Sequence, residues 1–202
     1  MSLIGTIIGL LIGTYGEQIY KINVDGATFE ILGCDTISVE NASYLAFSDN
    51  GAFLFALSES GEGSKLTSFR MVGGCPKVSE LAEGVAPDPC FLLWHKGCLL
   101  TADYTGGSVS VYPVTPDGVI QPARQVVKFH CSGPNKERQP YSHIHMLKIY
   151  GDRLYASDLG GDRIHVLAIG GEGSGFTLDH ISDIRTAPGT GPRHFDISAD
   201  GR

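Results

Sequence analysis

Two histidines in the stretch "HIH", at residues 143–145, are the first residues whose type and spacing could do chemistry. In an extended strand His143 and His145 lie on the same face, because side chains alternate with a period of two. An imidazole titrates near neutral pH, so one of them could act as a general base or a proton shuttle. The pair could instead share a metal ion or simply pack in a channel wall. The spacing alone leaves these three interpretations open.

A cation stands directly before another histidine in the stretch "GPRH", which contains Arg193 and His194. The planar guanidinium suits a carboxylate, a phosphate or a developing oxyanion, although an isolated arginine at a strand entry is also common on protein surfaces. Neighbouring residues of a regular strand point to opposite faces. Arg193 and His194 can therefore share a site only if the chain is irregular after Pro192.

Two further cations, Lys136 and Arg138, lie on the polar loop "GPNKERQP" that leads to the "HIH" stretch. They could attract an anionic ligand, or they could belong to an ordinary solvated loop. The chain as a whole has 15 Lys and Arg against 22 Asp and Glu, which gives a net charge of −7. This sign argues against nucleic acid or an anionic membrane as a partner, so an anionic ligand would depend on such a local cluster.

The elements that must position these residues follow a repeat. Turn glycines recur 46, 54 and 50 residues apart, at Gly51, Gly97, Gly151 and Gly201. In each repeat an apolar run enters the turn, a second run leaves it, and a third and fourth strand follow. Four antiparallel strands in about 40–50 residues form one β-propeller blade. A β-sandwich also alternates and turns often, but it does not predict a near-constant period, so we predict an all-β propeller.

The number of repeats predicts an incomplete ring. The chain holds three to four blades, and the last segment, "GPRHFDISADGR", is typical of a strand entry, a turn and the first residue of another strand. Closed propellers have about four to eight blades. We therefore expect residues 1–202 to be one partial propeller domain whose C-terminal blades are absent, and we expect this fragment alone to be inactive and poorly stable.

Aligning the repeats on their glycines places Tyr44, Phe91, His145 and His194 in one column, six or seven residues before each turn. The first strand of a propeller blade lines the central channel. We therefore expect these four side chains near one channel mouth, a concave place of the kind where ligands bind.

The cysteines and the apolar N-terminus bear on the compartment. The five cysteines are odd in number and have no CxxC spacing, which favours reduced thiols in the cytoplasm over a disulfide framework or a zinc ribbon; they are Cys34, Cys75, Cys90, Cys98 and Cys131. The opening "MSLIGTIIGLLIGTY" has no basic region and falls short of the roughly 20 residues that cross a bilayer. We expect a soluble cytoplasmic protein with no membrane partner.

The motifs "IGTY", "SGPNKERQ", "DLGGDRI" and "GTGPRH", in this order, resemble the seven-bladed lactonase family, which includes bacterial propeller-type 6-phosphogluconolactonases and fungal carboxymuconate lactonising enzymes. The resemblance extends over essentially the whole chain. It implies hydrolysis of a sugar lactone, 6-phosphogluconolactone in the pentose phosphate pathway being the first choice. The substrate would be a small anionic lactone, and neither a metal nor an organic cofactor would be needed.

The resemblance also implies roles for particular residues. His145 would activate water or relay a proton, and Arg193 would hold the phosphate or stabilise the oxyanion. From their own positions in the sequence, beside His145 and Arg193 and on the loop that leads to them, we also expect His143, His194 and Arg138 to bind the substrate.

A glutamate of the family site would stand where Glu59, Asp103 and Asp158 stand in their own blades, and this position and a further arginine would lie beyond Arg202. Two alternatives remain for the function. They are a muconate lactonising (cycloisomerase) activity and a non-catalytic propeller that serves as a binding platform.

Overall fold

The computed structural model describes residues 5–72, 75–82 and 84–201, with side chains except at residues 72 and 75–82. Four antiparallel sheets follow one another along the chain, and within each sheet the strands pair in sequence order. The first sheet contains β1 (Ile7–Ile12), β2 (Gln18–Asp25) and β3 (Ile31–Ser38). The second contains β4 (Ala42–Phe47), β5 (Phe53–Ser58), β6 (Lys65–Val72) and β7 (Cys75–Ala82). The third contains β8 (Pro89–His95), β9 (Cys98–Asp103), β10 (Ser108–Pro113) and β11 (Gln125–Lys128). The fourth contains β12 (Ile144–Tyr150), β13 (Arg153–Asp158), β14 (Arg163–Gly170) and β15 (Thr177–Arg185).

The second strands of the second and third sheets are buried along their whole length. Every residue of β5 ("FLFALS") and of β9 ("CLLTAD") is buried. A strand reads as a continuous apolar run rather than an alternating one when both of its faces are covered. The sequence of these two strands therefore indicates sheets that are stacked between neighbours.

Three apolar cores join the sheets in chain order. Ile19 and Phe69 belong to the core between the first and second sheets. Phe55 and Leu99 belong to the core between the second and third sheets, and a further core joins the third sheet to the fourth. This packing places β4 beside β8 and β8 beside β12, so the first strands of successive sheets are neighbours.

The structure confirms the all-β class and the predicted order of strands in the second, third and fourth sheets. The four turn glycines have positive φ angles, between 61° and 78°, which explains the residue type at these positions. The last predicted strand is not formed. Residues 191–198 pair with none of the described strands, and the amide of Phe195 donates to Met146 Sδ instead of to a neighbouring strand.

The first sheet leaves several large apolar side chains in solvent. Ile7 is 64% exposed, Phe29 74% and Ile31 69%. No helix in the described part of the chain is long and apolar enough to cross a bilayer. Four cysteines, Cys34, Cys90, Cys98 and Cys131, are free, and the side chain of Cys75 lies outside the described residues.

The packing between the second and third sheets yields a prediction about stability. Phe55 is fully buried and its ring stacks on Trp94, with centroids 5.3 Å apart and planes inclined by 9°. We expect Phe55→Ala to lower the free energy of unfolding by about 3–5 kcal/mol, because it removes apolar contacts and leaves a cavity. Phe29→Ala, at an exposed position, should change it by less than about 0.5 kcal/mol. Urea denaturation of both variants measures the difference, and equal losses would contradict this account of the core.

Candidate functional site

A cavity with a volume of about 350 Å³ lies where β4, β8, β12 and the segment around Arg193 meet. All four residues of the predicted column line it, namely Tyr44, Phe91, His145 and His194. The rings of Tyr44 and Phe91 are 4.4 Å apart between centroids, and those of His145 and His194 are 5.0 Å apart and nearly perpendicular. The structure thus brings the column together around one concave surface.

A β-bulge recurs in the first strand of the three four-stranded sheets. The pairing register shifts between Ala42 and Tyr44, between Pro89 and Phe91, and between Ile144 and Met146. Such a bulge adds one residue to a strand and turns its side chain in a new direction. The bulged residues are Ser43, Cys90 and His145, and each of them lines the cavity.

The bulges correct the alignment made on the turn glycines. In each of the three sheets the bulge lies at the same position of the pairing between the first and second strands. The structural counterparts of His145 are therefore Ser43 and Cys90 rather than Tyr44 and Phe91. The glycine spacing is off by one because Gly97 is the second residue of its two-residue turn and Gly151 is the first, while the turn that contains Gly51 is longer. The bulge also interrupts the strict alternation that we expected for "HIH".

His145 lines the cavity and contacts Arg193. It is 8% exposed, and Arg193 Nε donates a hydrogen bond to its Nε2 at 2.7 Å. The neutral imidazole therefore carries its proton on Nδ1, which is buried and has no partner among the described residues. Burial, followed by the charges of Arg193 and His194, lowers the pKa of His145 to about 4. The ring is thus a neutral base at physiological pH.

Arg193 is held in place through its backbone. Ser157 Oγ, on β13, donates to the carbonyl oxygen of Arg193 at 2.8 Å. Since no strand forms here, neighbouring side chains need not alternate, and both Arg193 and His194 line the cavity. This is the irregular entry that a shared site required.

The loop that precedes Arg193 is tied to one carboxylate, that of Asp162. Its two oxygens accept hydrogen bonds from the amides of Gly189 at 2.7 Å and Gly191 at 2.8 Å, and Oδ1 also accepts one from Gln139 Nε2 at 2.7 Å. Burial would raise the pKa of Asp162, but these three hydrogen bonds lower it below its usual value. The motifs "SGPNKERQ", "DLGGDRI" and "GTGPRH" therefore meet at this side chain.

The two cations of the preceding loop have different positions. Arg138 lines the cavity. Lys136 is not among the lining residues, and its ammonium group donates to the carbonyl oxygen of Gly133 at 3.2 Å.

His143 supports the cavity wall from behind. It is 6% exposed and does not line the cavity. Its ring stacks on Tyr104, with centroids 4.2 Å apart, and its Nδ1 lies 3.0 Å from the Tyr104 carbonyl oxygen. Tyr104 does line the cavity and presents its ring to His145 at 5.9 Å, in an edge-to-face contact.

Sequence reasoning missed a carboxylate in this cavity. Glu59 lines it, and its Oε2 accepts hydrogen bonds from Tyr15 Oη at 2.8 Å and from Ser43 Oγ at 2.9 Å. The sequence signal was present, because Glu59 stands a few residues after a turn glycine, where the repeat places acidic residues.

The register shows that Glu59 is not equivalent to the other two acidic residues. Asp103 and Asp158 pair with the residue before the bulge, and in the second sheet that position belongs to Ser58. Asp103 is fully buried and accepts hydrogen bonds from Thr101, Ser108 and Ser110. Burial raises its pKa to about 6. Glu59, one residue further along, reaches the cavity instead.

Two other groups of side chains have a composition that could hold a metal ion. Among the described residues they are Cys131 with Asp158 and His165, and His165 with His180 and Asp183. Neither group contains His143 or His145. Hydrogen bonds already join the second group, since both histidines contact Asp183 Oδ1, at 2.7 Å and 2.8 Å.

Comparison with known proteins places the chain among lactonases. A 6-phosphogluconolactonase from Formosa agariphila is 27% identical over 196 residues, which cover 93% of this chain and 55% of that protein. A 6-phosphogluconolactonase from Bacillus subtilis is 26% identical over 198 residues, covering 91% and 54%. The chain thus spans a little over half the length of these curated relatives.

Solved structures of similar proteins agree over the same region. A candidate 6-phosphogluconolactonase from Bacteroides fragilis superposes with a TM-score of 0.92 at 32% identity, covering all of this chain and 61% of the other. A periplasmic gluconolactonase from Pseudomonas aeruginosa superposes with a TM-score of 0.87 at 31% identity, covering 98% and 60%. The family described as "Lactonase, 7-bladed beta-propeller" matches residues 9–202. The chain belongs to this lactonase family.

Proposed function

We propose that the protein hydrolyses a sugar lactone, and that the substrate is 6-phosphogluconolactone. The observation that carries the proposal is the contact between Arg193 Nε and His145 Nε2 in a cavity large enough for a small ligand. It combines a neutral base with a cation that suits a phosphate or an oxyanion. The relatives named 6-phosphogluconolactonase support the choice of substrate.

The reaction follows from the two side chains. His145 Nε2 removes a proton from water while the water oxygen attacks the lactone carbonyl carbon. Arg193 stabilises the negative charge that develops on the carbonyl oxygen. The ring C–O bond then breaks, and the leaving oxygen takes the proton back from His145, which gives the open-chain acid. A lactone carbonyl is already electrophilic, so these steps need no cofactor.

The hydrogen bond between the two residues has to loosen first. Arg193 occupies the Nε2 lone pair that the base needs. An anionic group of the substrate attracts the guanidinium, which frees Nε2 for water. Arg138 and His194, which also line the cavity, add positive and polar contacts for that group. His143 acts indirectly, by holding Tyr104.

We also propose that the four sheets are successive blades of a seven-bladed ring, and that this cavity lies at its channel mouth. The family description and the coverage of 61% of the Bacteroides fragilis structure support this. The exposed apolar side chains of the first sheet are a surface that another blade would cover. The free thiols agree with a reducing compartment such as the cytoplasm.

Activity measurements on the full-length protein test the catalytic roles. We expect His145→Ala to lower kcat/KM for 6-phosphogluconolactone by about 10²–10⁴, the usual contribution of a general base. Arg193→Gln should lower it by about 10²–10³, because a cationic donor to the oxyanion is lost.

Substitutions at exposed positions are the controls for these variants. His130→Ala and Arg185→Gln change the same residue types outside the cavity and should retain wild-type rates. Wild-type activity in His145→Ala would overturn the base assignment. Turnover of a muconate but not of the sugar lactone would favour the cycloisomerase alternative, and inactivity of the wild type towards both would favour a binding platform.

The pH profile provides a separate test. Since burial and Arg193 lower the pKa of His145 to about 4, the base stays unprotonated, and kcat/KM should fall only as the pH approaches 4. Arg193→Gln removes a positive charge, so it should move the acid limb of the residual activity upward. Profiles corrected for spontaneous lactone hydrolysis measure this, and the same acid limb in both proteins would contradict the assignment.

Thermal melting tests the proposal that the ring extends further. We expect the 202-residue chain alone to melt at a lower temperature, and less cooperatively, than a longer version that carries the remaining blades. The reason is that the uncovered sheet faces gain apolar contacts in a closed ring. Equal midpoints and equal cooperativity in calorimetry would show that the four sheets form a self-sufficient unit.

A further inference from the structure

Side chains of both charge signs line the cavity, and they come from different sheets. Arg193 and Arg138 approach it from the side of the fourth sheet, and Glu59 follows β5 of the second sheet. Cys90, on β8 of the third sheet, lies between them. Burial, together with Glu59 and Asp103, raises the pKa of this thiol, whereas Arg193 acts on it in the opposite sense. The thiol lines the cavity together with both charged groups, and its raised pKa keeps it protonated, so it is not itself a nucleophile.

Only one of the two Glu59 carboxylate oxygens accepts hydrogen bonds from the described residues. Its two hydrogen bonds, from Tyr15 and Ser43, both end on Oε2. No hydrogen bond from the described residues reaches Oε1. An ionised carboxylate accepts about four hydrogen bonds through its two oxygens, so Oε1 remains available for donors that enter the cavity.

Local geometry gives Glu59 a defined direction. Ser43 is the bulged residue of β4, and the bulge turns its side chain toward the cavity. The Glu59 amide donates to the carbonyl oxygen of Asn41 at 3.0 Å, which fixes the backbone where β5 ends. The second sheet therefore presents a preformed acceptor, and the counterparts of Glu59 in the third and fourth sheets are Tyr104 and Leu159, neither of which has a carboxylate.

We propose that Glu59, held by Tyr15 and Ser43, is a subsite for the ring hydroxyl groups of the substrate, so that the cavity selects a polyhydroxylated lactone with an anionic group at its opposite end. This inference rests on the proposed lactonase function and specifies its substrate class. Hydroxyl groups donate to the carboxylate in charge-assisted hydrogen bonds. A ligand without them leaves Oε1 desolvated and unpaired, which a polar site penalises strongly.

The same arrangement disfavours ligands that are anionic at both ends. A dicarboxylate such as a muconate would place one of its carboxylates against Glu59, and like charges close together in a partly buried site repel each other. The negative charge of Glu59 therefore favours binding of the sugar lactone over binding of a muconate.

Direct binding tests the subsite without relying on turnover. The probes are 1,5-anhydroglucitol 6-phosphate, which has ring hydroxyls, and cyclohexylmethyl phosphate, which has none. We expect calorimetry of the full-length wild type to give at least about tenfold tighter binding of the first probe, the size of one charge-assisted hydrogen bond. Glu59→Gln should reduce this preference to below about threefold by weakening only the hydroxylated probe.

Two further variants complete the experiment. Glu62→Gln removes the same charge at an exposed position that does not line this cavity, and it should bind both probes as the wild type does. Tyr15→Phe changes a side chain that is 70% exposed, so it should leave the fold intact while it loosens Glu59, and it should lower the preference by about threefold. A wild type without preference, or a preference unchanged in Glu59→Gln, would overturn the subsite.

Kinetics distinguish binding from a chemical role. If Glu59 only binds hydroxyls, Glu59→Gln should raise KM for 6-phosphogluconolactone about tenfold and leave kcat within about threefold, because such binding is equal in the ground and transition states. A collapse of kcat at constant KM would show that Glu59 takes part in the chemical step, contrary to the inference. The two proposals can also fail separately. If the wild type hydrolyses no lactone but prefers the hydroxylated probe, and Glu59→Gln abolishes that preference, the proposed function is refuted and the subsite is supported.

Discussion

The hydrogen bonds to Asp162 hold together the parts of the chain that form the cationic side of the cavity. This carboxylate, only 8% exposed, accepts hydrogen bonds from two loop amides and from Gln139. An unpaired charge at this burial would be costly, so the three donors and the carboxylate require one another. Gly191, which has a φ angle of 56°, stands two residues before Arg193. The contact of Arg193 with His145 therefore depends on a carboxylate that does not itself line the cavity.

The β-bulges in the first strands direct side chains into the cavity. A regular first strand would alternate its side chains between the two adjacent cores. The extra residue in each of the three strands leaves this alternation, and its side chain enters the cavity. The scaffold thus offers the same position three times, and the sequence fills it with a hydroxyl, a thiol and an imidazole, at Ser43, Cys90 and His145. A repeated fold becomes an asymmetric site in this way, since only the residue types differ.

The cavity combines groups that stabilise and modify one another. Burial and Arg193 lower the pKa of His145, and the hydrogen bond from Arg193 orients its ring, while the Glu59 carboxylate lines the same cavity from the second sheet. An elongated ligand with an anion at one end and hydroxyls at the other would satisfy both ends at once. The proposed lactone hydrolysis depends on His145 and Arg193, and the proposed selectivity depends on Glu59.

The sequence by itself determined the strand repeat, the all-β class and the candidate residues His145 and Arg193, which the structure brings into contact. Turn glycines, buried second strands and the motifs around His145 and Arg193 are local patterns, and local sterics and burial act on them directly. The tertiary structure decided the rest. It placed His143 behind the cavity wall, made Ser43 and Cys90 the structural counterparts of His145, left residues 191–198 without partners among the described strands and brought Glu59 into the cavity. These outcomes depend on register and on contacts between residues far apart in the chain, such as Tyr15 with Glu59, and no local pattern encodes such contacts.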